Sequence, residues 1–229
     1  MLTQATINRN SSRQPAGRAA RPMAGNSVGL GSSIEMVGAP MPFSRNAEIY
    51  GENEPAEYLY KVVSGAVRTY KVLNDGRRQI GAFYLPGDIF GLEVGGEHSF
   101  SAEAVADCKV LVIKRSALVA LASRDNEVAR HLWTMAAAEL QRAQNHIMLL
   151  IKTAQERVAG FLLEMAERNS GANEVELPMS RQDIADYLGL TIETVSRTLT
   201  LLENAGAIVV PTSRRIVLRS RGALSRLNA

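Results

Sequence analysis

The sequence predicts an α+β protein in which an N-terminal β-roll of jelly-roll type is joined by one long helix to a C-terminal winged helix-turn-helix domain. Three observations carry that expectation. Between residues 47 and 113, short runs rich in Val, Ile and Tyr alternate with turn residues. From residue 123 onward the apolar period becomes helical. Residues 179–203 then read as two helices across a glycine turn, with a hairpin pattern directly after them.

Composition sets the bounds. The 229 residues are enough for two modest domains, and the content of 46% hydrophobic and 21% charged residues is that of a globular chain. No run of about 18 apolar residues occurs, so a membrane span is not expected. The single cysteine, Cys108, cannot form an internal disulfide and fits a reducing, cytoplasmic setting. The net charge of +3 is unevenly placed. Arg9, Arg13, Arg18 and Arg21 precede the first acid, Glu35, which leaves the rest of the chain close to neutral. Residues 1–44, rich in Gly, Ser, Pro and Asn, read as a mobile tail whose charge favours solubility or touches phosphates.

Residues 45–122 form the expected roll. Its strand candidates are EYLYKVV, AVRTYKVL, RRQIGAFYL and CKVLVI, separated by Ser64-Gly65, Asn74-Asp75-Gly76 and Pro86-Gly87-Asp88. Residues 123–153 form the long helix, with Ser123 as its N-cap. Ala136, Leu140, Ala143, Ile147, Leu150 and Ala154 recur at spacings of four and three, the seam of a helix that pairs with a second helix. Packing of that face on its own domain is the alternative.

Residues 154–229 form the third unit. A helix over Ala154–Asn169 buries Val158, Phe161, Leu162 and Met165, and a loop and a short strand follow. In MSRQDIADYLGLTIETVSRTLTLLE, Ser180 and Asp183 make a short-armed capping box, Gly189 allows the turn, and Thr191 caps the second helix. Ala185, Gly189 and Val195 supply the small, flexible and β-branched residues that two steeply crossing helices require. Glu193, Ser196 and Arg197 then share one outward face, with Ile192 at the helix start. Strands at Ala207–Val210 and Arg215–Leu218 make the wing, with Arg214 at its tip for a phosphate.

With these segments in place, the chain from about residue 45 resembles the CRP/FNR superfamily of bacterial transcription regulators, most closely its FixK-type branch. The motifs that carry the resemblance are MSRQDIADYLGLTIETVSR, LPGDIFGLE at residues 85–93, and the long helix between them. The resemblance implies a cyclic-nucleotide-binding-like roll, a homodimer paired through the long helix, and a palindromic operator. The E-x-x-S-R motif of the recognition helix matches Glu193, Ser196 and Arg197, which implies half-sites of the type TTGA and TCAA. Arg can grip guanine O6 and N7 while Glu accepts from cytosine N4. Ser180, Arg181, Gln182, Thr191, Thr194 and Thr198 are the expected phosphate contacts beside Arg214. Family activating regions imply RNA polymerase contacts at the hairpin Asn74-Asp75-Gly76-Arg77 and at the loop from Glu167 to Asn173, including Arg168 and Asn169. The branch implies control of microaerobic or nitrogen-fixation genes.

Departures from other branches narrow the chemistry. No arginine lies between Arg78 and Arg115, so the cation that would hold a cyclic phosphate is lacking. One cysteine cannot ligate an iron-sulfur cluster. His98 is a lone histidine in a loop, and His131 and His146 make no metal-ligand spacing. The expectation is therefore an activator with no cofactor and no catalytic constellation. An effector-gated sensor, loaded with haem or another small ligand, is the alternative. Cys108 is a redox candidate through neighbouring Lys109, against the reading of an inert strand thiol.

Overall fold

The computed structural model describes residues 37–169 and 173–228. The basic arginines of the tail, and Gly171 of the loop after Asn169, lie outside the described residues.

Eight strands build the roll: β1 (Gly38–Phe43), β2 (Glu48–Tyr50), β3 (Tyr58–Ser64), β4 (Val67–Val72), β5 (Arg78–Tyr84), β6 (Ile89–Phe90), β7 (Ser101–Ala104) and β8 (Cys108–Lys114). They form two antiparallel sheets in the orders β1-β8-β3-β6 and β2-β7-β4-β5. The strand β1 lies inside the stretch read as tail, and its sequence GAPMPF explains the miss. Pro40 and Pro42 lack an N–H and read as loop residues, but β1 pairs only with β8 and sits at the sheet edge, where proline is tolerated. Alternate side chains fill the interior with Tyr50, Tyr60, Val62, Val67, Tyr84, Phe90, Ala102 and Val110.

Two helices follow, α1 (Arg115–Ala122) and α2 (Asn126–Leu150). The long helix is capped by Asp125, whose carboxylate accepts from the amides of Glu127 and Val128, and not by Ser123. Aspartate two residues later competes successfully because Ser123 still belongs to the end of α1, where its hydroxyl donates to the carbonyl of Ala120. The helix also stops earlier than its seam predicts. Thr153 and Glu156 form a capping box that starts α3 (Ala154–Arg168), so Ala154 opens a new helix and leaves the seam.

The winged unit continues with β9 (Glu174–Glu176), α4 (Arg181–Leu188), α5 (Ile192–Asn204), β10 (Ile208–Thr212), β11 (Arg215–Leu218) and α6 (Arg221–Asn228). Its three strands pair in the order β10-β11-β9. The pattern did not predict α6, which packs on α3 and buries Leu224. The core of this unit, built on Phe161, Leu162, Met165, Leu188, Val195 and Leu202, runs without a break into Ile80 and Phe83 of the roll.

Candidate nucleic-acid interface

The reading head is built from the turn outward. Ser180 accepts from the Asp183 amide at 3.1 Å and donates its hydroxyl proton to Asp183 Oδ2 at 2.8 Å, which starts α4. Gly189 sits at φ 61°, in the left-handed region where a Cβ would crowd the backbone, and Leu190 donates to the Ala185 carbonyl at 2.9 Å. Thr191 then caps α5 by accepting from the Thr194 amide at 3.2 Å. Ala185 and Val195 are fully buried between the two helices.

On α5, Val195, Thr198, Leu199 and Leu202 face the core, while Glu193, Arg197, Thr200 and Leu201 face outward beside half-buried Ser196. Ile192 lies at the helix start, at the margin of the exposed face. Glu193 is held below the usual carboxylate range by a backbone N–H, by the Thr191 hydroxyl and by the charge of Arg197, so it is an acceptor at neutral pH. No ion pair joins Glu193 to Arg197 among the described residues, and the Arg197 guanidinium keeps its donors for another partner. Ser196 Oγ accepts from Arg181 at 3.3 Å, while Arg181 Nε is buried without a partner. Arg181, Ser196, Arg197, Thr200 and Leu201 together line an open groove of about 460 Å³. Thr200 and Leu201 were missed in the sequence because neither belongs to the E-x-x-S-R motif.

The other expected phosphate contacts divide. Gln182 is exposed and donates to Asp186 at 2.7 Å, and Thr191 stands exposed at the start of α5. Thr194 is half-buried, with its hydroxyl 3.1 Å from that of Thr191. Arg214 occupies the wing turn, where its amide donates to Thr212 Oγ1 at 3.3 Å and its carbonyl accepts from the Leu177 amide. Thr198 is a correction: it is 5% exposed and points into the core, so it cannot touch a phosphate.

Away from the reading head, the seam of α2 faces outward. Leu140 and Ile147 are 60% and 63% exposed, Ala136 and Ala143 are exposed, and Leu150 is half-buried against the winged unit. Trp133 and Ile151, missed in the sequence, extend the same apolar face. Ala154 is the correction here, removed from the seam by the helix break.

The turn Asn74–Arg77 projects into solvent, with Gly76 at φ 81° and an exposed Arg77–Asp75 pair that holds the Asp75 carboxyl low. Arg168 is a further correction. Its guanidinium donates to the Phe83 carbonyl at 2.9 Å and binds Asp88, so it ties α3 to the roll and is not available to a polymerase. Asn169 terminates α3, and residues 170–172 of that loop lie outside the described residues.

The interior of the roll is filled by an aromatic cluster. His98 is 1% exposed and stacks on Tyr50 at 3.6 Å, beside Tyr60 and Phe90. Its ring nitrogens have no hydrogen-bond partner, and burial pushes its basicity down. Arg115 donates to the carbonyls of Gly91, Glu93 and Gly95, and so holds the loop over this cluster. Cys108 is also a correction. Its thiol is buried and pushed up by burial and by Asp107, while Lys109 points to the opposite, exposed side of the strand. That is the setting of an inert thiol. Among the described residues no group of three His, Cys, Asp or Glu could hold a metal ion, and no helix is long and apolar enough to cross a membrane.

A second set of residues escaped the sequence reading. Asp183 and Asp186 of α4 face Arg68 and Arg78 of the roll, and Tyr187 stacks on His146 at 3.9 Å. The only sequence signal was the acid pair at i, i+3 in a helix that also carries an apolar face.

Comparison with known families and structures agrees with this architecture. A Crp-like helix-turn-helix domain matches residues 156–227, and a cyclic nucleotide-binding domain matches residues 40–125. The nitrogen fixation regulation protein FixK of Azorhizobium caulinodans is 56% identical over 202 residues, covering 86% of this chain and 82% of the relative. The FixK protein of Rhizobium meliloti is 42% identical over 181 residues, covering 79% and 82% of the two chains. The solved structure of FixK2 from Bradyrhizobium japonicum superposes with a TM-score of 0.81 at 56% identity, covering 84% of this chain and 98% of that one. These relatives are regulators and not enzymes. With a roll, a central helix and a winged reading head in this order, the chain belongs to the FixK-type branch of the CRP/FNR family of transcription regulators.

Proposed function

We propose that the protein binds, as a homodimer, a palindrome of the type TTGA-N6-TCAA and activates transcription from it without a small-molecule cofactor. The observation that carries this reading is the outward face of α5. Glu193 is an ionised acceptor, Arg197 an uncommitted fork of donors, and Ser196 a hydroxyl between them, all on a helix locked from behind by Val195, Leu199 and Leu202. Such a face fits a major groove, with Arg on guanine and Glu on the paired cytosine. Arg181, Thr191 and Arg214 surround it as phosphate contacts.

Pairing of two chains through Ala136, Leu140, Ala143 and Ile147 would cover the exposed face of α2, and a palindrome requires the two reading heads of such a dimer to lie about one helical turn apart, about 34–36 Å. The exposed turn at Asp75, Gly76 and Arg77 remains the surface for RNA polymerase. The names of the FixK relatives support nitrogen-fixation genes as the targets. A microaerobic response within the cytoplasm is part of the same proposed reading.

The test is a titration at fixed salt, without added ligand, of purified protein on the palindromic duplex and on a scrambled one, with the stoichiometry measured by sedimentation. The expected result is selective binding of two chains per duplex. Equal, weak binding to both that becomes selective only with haem or a nucleotide would support the effector-gated reading instead.

A further inference from the structure

We propose that Arg68 and Arg78 of the roll, with Asp183 and Asp186 of α4, are positioning residues that hold the reading head at one angle to the roll. They thereby set which half-site spacing the dimer accepts. The inference rests on the palindromic reading above and adds what fixes its geometry.

The two oxygens of Asp183 have separate tasks. Oδ2 takes the amide of Ser180 at 3.0 Å and its hydroxyl at 2.8 Å, which starts α4. Oδ1 takes Arg68 at 2.9 Å and Arg78 at 2.6 Å, which binds the same helix to β4 and β5. Asp183 is 4% exposed and Arg68 6%, so water does not substitute for either partner. Arg68 is held from its other side by Glu103 of β7 at 2.8 Å. Arg78 reaches Asp186 through Nε at 2.8 Å. Burial works against the Arg78 charge, but the hydrogen bond to Asp186 and the charges of both aspartates outweigh it and leave the guanidinium above its ordinary value.

The end of α4 is held as well. The Tyr187 carbonyl accepts from Gln79 at 3.3 Å and from His146 Nε2 at 2.8 Å. The Tyr187 ring lies between His146 and the Phe83–Phe161 pair. The clamp therefore grips the first reading-head helix at its start and its end, and binds it to β4 and β5 of the roll and to α2.

Ionic and apolar contacts differ in what they specify. An apolar contact of this area tolerates sliding and gives as much stability as a buried ion pair, or more. Charges with fixed fork geometry lose their partners after a small displacement, and a buried unpaired charge is costly. The array thus discriminates among orientations more than it stabilises the fold. Because α4 is joined to α5 through the short turn at Gly189, the orientation of α4 is the orientation of the reading face.

The test uses the full chain with Arg78→Glu, Arg78→Lys and the charge swap Arg78→Glu with Asp186→Arg. Asp183 is left intact because it also caps α4. The first measurement needs no DNA: spin labels at Lys109→Cys and Asn204→Cys, with labelled chain diluted in unlabelled chain, give the distance between roll and reading head. The parent gives one narrow distribution, Arg78→Glu a broad or displaced one, and Arg78→Lys and the swap return toward the parent. The second measurement compares palindromes whose spacer is longer or shorter by one and two base pairs. The parent prefers one spacing by about tenfold, the scale of one wrong base pair, and Arg78→Glu loses most of that preference.

A narrow, unshifted distribution in Arg78→Glu overturns the proposal. So does a broadened distribution with the spacing preference intact. If the parent selects none of the palindromes over scrambled DNA, the palindromic reading fails, while the distance measurement still decides whether the clamp orients the head.

Discussion

The interior of the roll and the outer face of α5 handle polar groups in opposite ways. In the roll, Tyr84 donates to Glu139 at 2.9 Å, Arg115 is committed to loop carbonyls, and Tyr50, Tyr60, Phe90 and His98 fill the space between the sheets. On α5, Arg197 and Glu193 stay apart and exposed. A packed aromatic interior is built for stability, even with the His98 ring nitrogens left without partners, whereas a rigid helix with uncommitted donors and acceptors can bind a patterned surface. The difference teaches that the two ends of the chain are built for different tasks: the roll for packing, and the reading head for presenting unpaired polar groups to a partner.

The largest expected effect comes from breaking the packed side. Phe90→Ala removes a fully buried ring and is expected to cost about 3–5 kcal/mol of stability, measured by urea unfolding. A loss below about 1 kcal/mol would mean that the roll interior has room to collapse or rearrange, as a ligand pocket must. On the open side, Arg197→Ala is expected to cost about 1–3 kcal/mol of binding to the cognate duplex with no change in unfolding midpoint. A shifted midpoint would mean that Arg197 is structural.

Acid sharpens the contrast. His98 and His146 are both held below their ordinary basicity by burial, so the unfolded chain takes up protons that the folded chain refuses. Stability is therefore full above about pH 6.5 and falls as the solution is acidified below it. His98→Phe is expected to flatten that fall, and an identical pH slope in parent and variant would contradict the assignment. The smallest effect is expected at the exposed turn. Asp75→Lys leaves folding and DNA affinity unchanged and lowers transcription in a purified system; unaltered transcription would remove this turn as the polymerase contact.

Much of this was legible in the sequence, for identifiable reasons. Helix-turn-helix geometry is local, so Ser180, Ala185, Gly189, Thr191 and Val195 announce it by size, capping and spacing. The alternation in EYLYKVV and CKVLVI likewise marks strands with one packed face. Tertiary facts were not legible. Whether Asp183 and Asp186 faced water or Arg68 and Arg78 depends on how two distant segments dock, and Thr198 sits only one residue from Arg197 yet points into the core. Arg168 looked like a surface cation because its partners, Phe83 and Asp88, are far upstream in the chain. The end of α2 was hidden because Leu150 and Ala154 keep the apolar period while Thr153 and Glu156 cap a new helix.

The most direct test of the central claim is a binding titration of parent and Arg197→Ala on the TTGA palindrome and on the same duplex with the guanine pair of each half-site replaced. If Arg197 reads that base, the parent loses affinity on the replaced duplex, and Arg197→Ala binds weakly with most of that discrimination lost, keeping only what Glu193 draws from the paired cytosine. If Arg197→Ala still discriminates between them as the parent does, the outward face of α5 does not read the operator through this residue.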